Sequence, residues 1–340
     1  MRGVVLHSPG DVRVEHREDP QIVHPTDAVI RVTAACVCGS DLWDYRGINP
    51  VDQPTPMGHE YIGIVEQIGD QVTSLTPGDF VVGSFWASDN TCEICRAGYQ
   101  PGCPHAEYVG LGGAQAERLR VPQADGTLVA TPGEPDPDLV PSLLAASDVL
   151  GTGWFGASAA EAGPGKTIAV VGDGAVGLSA VLAAGQLGAD RVIAMSRHAD
   201  RQALAREFGA TDIVTERGDE GIAKIKELTN GYGAHSVVEA VGTQEAMMQA
   251  LGSVRPGGHV GYVGVPHGIA IPGEPLFFTL SHLHGGPAPV RALLPDLIDR
   301  IWDRRIDPGR VFDLDLPLDE AAEAYRAMDE RRATKALLRP

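Results

Sequence analysis

Two short segments near the N-terminus carry side chains of the types that ligate metals in proteins. Cys38–Asp41 has the sequence C-G-S-D, and Gly58–Glu60 has the sequence G-H-E, which continues as G-H-E-x-x-G-x(5)-G-x-x-V. A thiolate, an imidazole and a carboxylate are donors of the kind found in zinc sites that keep one position open for water or substrate. A single Cys or His is more often an ordinary buried residue. The combination of the two segments indicates metal chemistry.

Cysteine usage supports the same interpretation. The chain contains five cysteines, and its N-terminus lacks the apolar core of a signal peptide. An odd, clustered set in such a chain argues against a disulfide framework and favours metal binding. These residues are Cys36, Cys38, Cys92, Cys95 and Cys103, and we expect Cys36, which matches no motif, to be a small buried hydrophobe.

A glycine motif provides the second functional signal. The apolar segment Thr167–Val171 leads directly into G-x-G-x-x-G, which opens a helical pattern. The glycines allow a tight turn and close backbone approach to a pyrophosphate, and the helix N-terminus then faces the phosphates. Such turns can also be purely structural, but strands on both sides favour dinucleotide binding. The motif consists of Gly172, Asp173, Gly174, Ala175, Val176 and Gly177.

The elements around these motifs change character along the chain. The first ~145 residues contain short β segments separated by Gly, Pro and Asp turns, such as the segment at Tyr61–Ile68. From Gly163 short apolar strands alternate with helical stretches, which predicts an α/β region with a doubly wound parallel sheet. The 340 residues suggest about two domains.

Charge and hydropathy limit the function classes. The formal charge is −18, so phosphate-rich partners such as nucleic acids or anionic membranes would be repelled. No apolar run reaches the ~18 residues of a membrane span. We therefore expect a soluble, cytoplasmic protein with a small-molecule substrate and no nucleic-acid or membrane partner.

The motifs together resemble those of the zinc-dependent medium-chain alcohol dehydrogenases, over essentially the whole chain. Further matching landmarks are Pro77–Asp79, Val238–Gly242 and Arg255–Gly258. The resemblance implies a GroES-like β-rich catalytic domain, residues 1–149 and 286–340, into which a Rossmann domain, residues 150–285, is inserted. It also implies a homodimer or homotetramer.

The resemblance assigns roles around a catalytic zinc. Its ligands are Cys38, His59 and, just before the Rossmann domain, Asp148, whose carboxylate would be costly to bury alone in an apolar stretch. Glu60 can approach the metal and exchange with the fourth ligand. Ser40 matches the first hydroxyl of the proton relay. Many relatives carry a relay His a few residues later, where this chain has Trp43 and Asp44.

A second zinc, with a structural role, is implied by the cysteine-rich segment. The spacing of Asp89, Cys92, Cys95 and Cys103 matches the structural-zinc lobe of related dehydrogenases, which usually place Cys at all four positions. Carboxylate oxygen is a legitimate zinc ligand. Two alternatives remain open: a site whose fourth ligand is not Asp89, and three thiols without a metal role.

The cofactor is predicted to be NADP rather than NAD. An acid at the end of the second Rossmann strand would bind the ribose 2′-hydroxyl of NAD and repel a 2′-phosphate. Here Ser196 stands at that position, beside basic residues suited to phosphate. Further cofactor contacts are expected at Val241 and Val263, and Lys335 is expected to reach toward the pyrophosphate. The basic residues are Arg197, His198 and Arg201.

The sequence therefore predicts reversible hydride transfer between a primary or secondary alcohol and NADP. The main alternative is a sugar or polyol dehydrogenase of the same superfamily. A non-catalytic dinucleotide-binding or redox-sensing protein is a second alternative. Phe85 and Trp86, with Trp43 and Trp154, would favour apolar or aromatic alcohols if they line the substrate cleft, although they could instead simply pack the domain.

Overall fold

A computed structural model describes the chain from Met1 to Pro340, apart from the side chain of Pro275. The chain folds into two compact units, residues 1–148 with 289–340, and residues 149–288. These boundaries lie one residue before and three residues after the predicted ones. In the described part of the chain, every helix is too short or too polar to cross a membrane.

The N-terminal part of the first unit is rich in short strands, as predicted. Its strands are β1 (Arg2–Ser8), β2 (Asp11–His16), β3 (Ala28–Cys36), β4 (Thr55–Pro56), β5 (Tyr61–Ile68), β6 (Phe80–Gly83), β7 (Trp86–Ala87), β8 (Glu107–Tyr108), β9 (Arg118–Val121) and β10 (Leu128–Ala130). Its helices are α1 (Asp41–Tyr45), α2 (Glu93–Arg96), α3 (Ala124–Thr127) and α4 (Val140–Ala146).

The second unit alternates strands and helices. Its strands are β11 (Thr167–Val171), β12 (Arg191–Met195), β13 (Asp212–Val214), β14 (Ala234–Glu239), β15 (Val254–Tyr262) and β16 (His282–Gly285). Its helices are α5 (Val149–Ala159), α6 (Ala175–Gln186), α7 (Ala199–Glu207), α8 (Gly218–Leu228), α9 (Gln244–Ser253) and α10 (Gly273–Thr279).

The C-terminal segment returns to the first unit through α11 (Val290–Trp302), α12 (Ala321–Asp329), β17 (Leu314–Pro317) and β18 (Ala336–Arg339). Strand β18 pairs antiparallel with β3, placing Leu337 opposite Cys36. The seven-stranded sheet has the order β10-β6-β5-β3-β18-β17, with β9 also paired to β3. The last strands therefore complete a sheet that the N-terminal segment began, and two distant parts of the sequence form one core.

The second unit contains a six-stranded parallel sheet in the order β13-β12-β11-β14-β15-β16. This is the strand order of a Rossmann domain, as predicted. The first strand has the predicted bounds, Thr167–Val171, because strands covered on both faces form short, continuous apolar runs. Strand β16 was not predicted, because this half-exposed edge strand carries His282 and His284 instead of an apolar run.

Candidate metal centres and nucleotide site

Strand pairing brings the two N-terminal motifs together. Cys38 follows the end of β3, and His59 and Glu60 directly precede β5. These two strands pair antiparallel, with Ala35 opposite Tyr61. The end of β3 and the start of β5 therefore lie side by side, and side chains from two separate segments of the sequence reach one site.

Two glycines of the extended G-H-E pattern are required by this packing. Gly58 has a φ of +93°, and a Cβ there would lie 2.4 Å from the Gln115 side chain. A Cβ on Gly63 would lie 2.2 Å from the Arg31 carbonyl oxygen on β3. Because neither glycine has a Cβ, the segment that carries His59 and Glu60 can lie this close to Gln115 and to β3.

Cys38, His59, Glu60 and Asp148 form one buried group, called here the first donor cluster. Their donor atoms lie within 4.8 Å of one another. His59 Nε2 is 3.2 Å from Asp148 Oδ2, and Cys38 Sγ is 3.8 Å from the same oxygen. A thiol and two carboxyl groups are costly to bury together without a cation. The donor set fits zinc, and Asp148 lies beside Cys38 and His59.

A second layer of polar contacts orients these donors. His59 Nδ1 lies 3.3 Å from Asp41 Oδ1, and Asp41 Oδ2 accepts from the Cys38 backbone N–H at 3.0 Å. Gln115 Nε2 donates to Asp41 Oδ2 at 3.2 Å, while Tyr325 donates to Gln115 Oε1 at 3.0 Å. A carboxylate on the second ring nitrogen sets the tautomer that leaves Nε2 free to ligate. Sequence analysis gave Asp41, Gln115 and Tyr325 no role, although Asp41 belongs to the C-G-S-D motif.

Glu60 is held by a buried ion pair. Lys335 Nζ donates to Glu60 Oε1 at 2.7 Å and to the Val37 carbonyl oxygen at 3.2 Å. Glu60 Oε2 is buried and has no hydrogen-bond partner among the residues that the structure describes. Burial raises the pKa of Glu60, with Lys335 opposing the shift and Asp148 adding to it. An uncompensated carboxylate oxygen close to three other donors fits a bound cation.

This ion pair corrects one prediction, that Lys335 reaches the cofactor pyrophosphate. In the structure Lys335 is 1% exposed, and its ammonium is hydrogen-bonded to a carboxylate of the first donor cluster. So deeply buried a group presents no surface to a pyrophosphate. The ammonium instead holds a carboxylate of the first donor cluster.

Aromatic side chains pack beside His59. The rings of Phe85 and Tyr108 have centroids 6.0 and 5.7 Å from the imidazole, and Trp86 packs on Tyr108 at 5.4 Å. Phe85 and Trp86 therefore lie near the donors, and Tyr108 is an addition that sequence analysis missed. Trp154, by contrast, belongs to the second unit and is 5% exposed.

Ser40, the expected relay residue, precedes α1 next to the metal motif. The residue is half-buried, and its hydroxyl does not cap the helix. In the segment where relatives carry a relay His, Asp44 accepts a hydrogen bond from Asn49 Nδ2 at 2.7 Å.

Asp89, Cys92, Cys95 and Cys103 form the second donor cluster, again with donor atoms within 4.8 Å of one another. Cys92 precedes α2, and its Sγ accepts from the Cys95 N–H, which lowers the pKa of the Cys92 thiol. Cys92 Sγ and Cys103 Sγ are 3.9 Å apart. Asp89 Oδ1 accepts from the backbone N–H groups of Thr91 and Cys92, at 2.8 and 2.9 Å. Three thiols and one carboxylate fit a tetrahedral zinc.

The glycine motif has the geometry of a phosphate-binding turn. Gly172 follows β11 with a φ of +121°, and a Cβ on Gly177 would lie 2.1 Å from the Gly172 carbonyl oxygen. Gly174, which precedes α6, has open space where its Cβ would be. Ala175 and Val176 form the half-buried first turn of α6. The unobstructed backbone at Gly174 and the backbone N–H groups at the start of α6 can bind a pyrophosphate.

The predicted basic residues lie at the end of β12, and the carboxylate of Asp173 lies among them. Ser196, 1% exposed, donates to Asp173 Oδ2 at 2.8 Å, and Arg201 Nη1 lies 3.4 Å from Asp173 Oδ1. Arg217, just before α8, lies 4.0 Å from the same carboxylate. Burial lowers the pKa of Arg217, Asp173 opposes this, and Arg197 adds to it. Two guanidinium groups, those of Arg201 and Arg217, therefore lie beside one carboxylate. Neither Arg217 nor the position of Asp173 was predicted.

The remaining predicted cofactor residues differ in exposure. Arg197 and His198 are exposed before α7. Val241 is 42% exposed beside Gly172, in a turn whose N–H groups at Val241 and Gly242 donate to Glu239 Oε1 at 2.8 Å. Val263 is 9% exposed, so its side chain offers little surface to a cofactor.

Comparison with known proteins covers both units. The chain matches the alcohol dehydrogenase GroES-like domain over residues 24–133 and the zinc-binding dehydrogenase family over residues 175–300. Zinc-type alcohol dehydrogenase B of Aspergillus flavus is 35% identical over 350 aligned positions, covering 100% of this chain and 81% of the relative.

Solved structures show the same architecture. Alcohol dehydrogenase TADH from Thermus sp. ATN1 is 33% identical, with a TM-score of 0.89 and coverage of 100% of this chain and 99% of that one. A zinc-binding dehydrogenase of Sinorhizobium meliloti 1021, solved bound to NADP, is 26% identical, with a TM-score of 0.82 and the same two coverages. The chain thus belongs to the zinc-dependent medium-chain alcohol dehydrogenase family and is an oxidoreductase of that family.

Proposed function

We propose that the chain is an NADP-preferring alcohol dehydrogenase that interconverts primary or secondary alcohols with aldehydes or ketones. The observation that carries this proposal is the first donor cluster, a buried set of thiol, imidazole and carboxylate groups. It lies beside the side chains of Phe85, Tyr108 and Trp86, called here the aromatic wall. We further propose that it works in the cytoplasm and, as the resemblance implies, forms a homodimer or homotetramer.

Zinc bound by Cys38, His59 and Asp148, with Glu60 as a further donor, would supply Lewis-acid polarisation of the substrate oxygen. The chain's own residues prepare the site. Asp41 fixes the His59 ring, and Lys335 holds Glu60 Oε1.

Ser40 is proposed to take up the proton that leaves the substrate hydroxyl. It is half-buried and stands two residues after Cys38, at the start of α1. The histidine that continues this path in many relatives is replaced here by Trp43 and Asp44.

The aromatic wall supports a preference for apolar substrates. Phe85 and Tyr108 pack beside His59, and Trp86 packs on Tyr108. Rings of this size exclude water and offer flat apolar surface, whereas a polyol would leave several hydroxyl groups without partners there.

The arginine group supports the preference for NADP. The guanidinium groups of Arg197, Arg201 and Arg217 are suited to bind a 2′-phosphate through charge-assisted hydrogen bonds. Asp173 neutralises part of this charge and also holds Ser196. The Sinorhizobium meliloti relative was solved bound to NADP, which supports the same cofactor for this chain.

Steady-state kinetics of the purified wild-type protein test the proposal. Panels of aliphatic alcohols, benzylic alcohols and polyols should be assayed with NADP and with NAD. We expect the highest kcat/KM for an apolar or aromatic alcohol with NADP. Turnover of a hexose or polyol far above every simple alcohol would instead support the sugar or polyol dehydrogenase alternative. Absence of turnover on all panels, with NADP still bound, would favour a non-catalytic protein.

The second donor cluster is proposed to hold a structural zinc, for a total of two zinc ions per chain. Asp89→Ala should then release one zinc on dialysis against a chelator and lower the Tm, by roughly 2–4 °C for each kcal/mol lost. Asp89→Cys should restore retention, because thiolate is a good zinc ligand. Zinc is measured by inductively coupled plasma mass spectrometry, and Asp70→Ala, an exposed acid elsewhere, is the control.

Two results would contradict this assignment. Wild-type protein with a single zinc would exclude a filled second site. An Asp89→Ala protein with two zinc ions and an unchanged Tm would show that another group is the fourth ligand.

A further inference from the structure

His105 lies beside the second donor cluster but is not one of its four donors. Its Nδ1 is 2.7 Å from Asp89 Oδ2. A carboxylate only accepts hydrogen bonds, so Nδ1 carries the proton and donates it to Asp89. The imidazole is 70% exposed, whereas Asp89 is 20% exposed, so the ring is held there by this hydrogen bond more than by burial.

The backbone of His105 is tied to the same region. Its N–H donates to Cys103 Sγ at 3.4 Å, and its carbonyl oxygen accepts from Gln123 Nε2. The residue is therefore anchored at one metal donor while its ring contacts another. This arrangement fixes the ring relative to the cluster without making it a ligand.

Hydrogen bonds reach both oxygens of Asp89. Thr91 and Cys92 donate to Oδ1, and His105 donates to Oδ2. A carboxylate has about four lone-pair positions, so Oδ2 keeps one for a metal while it accepts from His105. Without His105, Asp89 Oδ2 would lose the hydrogen bond that sets its orientation.

A carboxylate needs such support more than a thiolate does. A thiolate binds through one atom that its own Cβ positions, whereas a carboxylate can rotate and switch between two oxygens. Carboxylates that ligate metals are accordingly hydrogen-bonded by outer groups, whose loss costs about 10- to 100-fold in metal affinity.

We propose that His105 is a positioning residue that orients Asp89 Oδ2 toward a zinc ion in the second donor cluster. The pair Asp89–His105 then does here what a single cysteine does in relatives with four cysteines. The inference rests on the proposed second zinc and adds to it the group that makes a carboxylate ligand effective.

The test measures zinc release from the holoenzyme with the chromogenic chelator 4-(2-pyridylazo)resorcinol, together with total zinc content. His105→Ala should release the second zinc about 10- to 100-fold faster than wild type. His105→Asn should stay close to the wild-type rate, because its side-chain N–H₂ can still donate to Asp89. His24→Ala, an exposed histidine in the same unit, is the matched control and should behave as wild type.

A double-mutant cycle with Asp89→Cys separates positioning from general loop stability. In the Asp89→Cys background, His105→Ala should leave zinc release unchanged, because the thiolate does not depend on the imidazole. Equal acceleration in both backgrounds would overturn the proposal, since His105 would then stabilise the loop regardless of the ligand. His105→Asn behaving like His105→Ala would also overturn it.

Loss of the second zinc and loss of the role of His105 give different results. Wild-type protein with one zinc would remove the second metal centre and, with it, the role of His105. Two zinc ions in the wild type, with normal release from His105→Ala, would leave the metal centre standing and refute only the positioning role.

Discussion

Replacing Cys38 or His59 by Ala should abolish alcohol turnover, lowering kcat/KM by about 10³-fold or more. Metal polarisation of a substrate oxygen lowers the activation barrier by several kcal/mol, and about 1.4 kcal/mol corresponds to a factor of ten in rate. Cofactor binding should stay nearly intact, because the glycine motif and the arginine group lie in residues 149–288 while both ligands lie in the other unit. Fluorescence titration with NADPH measures this separately from turnover.

Cys36→Ala is a matched control for the cysteine variant. Cys36 is fully buried two residues earlier, at the end of β3, and is not one of the donors. We expect it to retain zinc and most of the activity, whereas Cys38→Ala should lose one zinc ion. A Cys38→Ala enzyme with undiminished kcat/KM would refute the proposed metal centre. A large loss of NADPH affinity would show that the two sites are not independent.

Arg197→Ala should raise the KM for NADP by about 10- to 100-fold and change the KM for NAD little. A hydrogen bond between charged groups contributes about 1.5–3 kcal/mol, and only NADP carries the 2′-phosphate. Arg197 is exposed, so its truncation leaves the fold intact. Arg217→Ala should act in the same direction, because Arg217 and Arg201 lie 4.0 and 3.4 Å from the same carboxylate, Asp173.

Arg206→Ala serves as the control, since this exposed arginine lies near the far end of α7. Its loss should alter neither cofactor constant appreciably. Higher kcat/KM for NAD than for NADP in the wild type would refute the preference. An Arg197→Ala enzyme that weakens both cofactors equally would show that the side chain does not contact the 2′-phosphate.

The structure also changes how a switch to NAD should be made. Ser196→Asp looks sufficient from the sequence, because it supplies the missing acid. Ser196 is buried, however, and donates to Asp173 at 2.8 Å, so a second carboxylate there would face the first. We expect a shift toward NAD together with a loss of stability from like-charge repulsion.

The local sequence determined the alternation of strands and helices in the Rossmann domain, the glycine turn after its first strand, and the donor types of both donor clusters. These features depend on short-range patterns: apolar runs where a sheet is covered on both faces, and glycines where backbone must approach backbone. Gly177 against the Gly172 carbonyl is one example, and Gly63 against β3 is another. Steric requirements of this kind are visible in a few consecutive residues.

Only the tertiary structure decided which distant groups meet. Lys335 reaches Glu60 across 275 positions of sequence because β18 pairs with β3, and this contact replaced the expected pyrophosphate contact. Tyr325 contacts Gln115, and Arg217 contacts Asp173, because the fold likewise brings together residues that are far apart in the sequence. Ion pairs and second-layer hydrogen bonds have no sequence period, because strand order and register, rather than spacing along the chain, determine which side chains become neighbours.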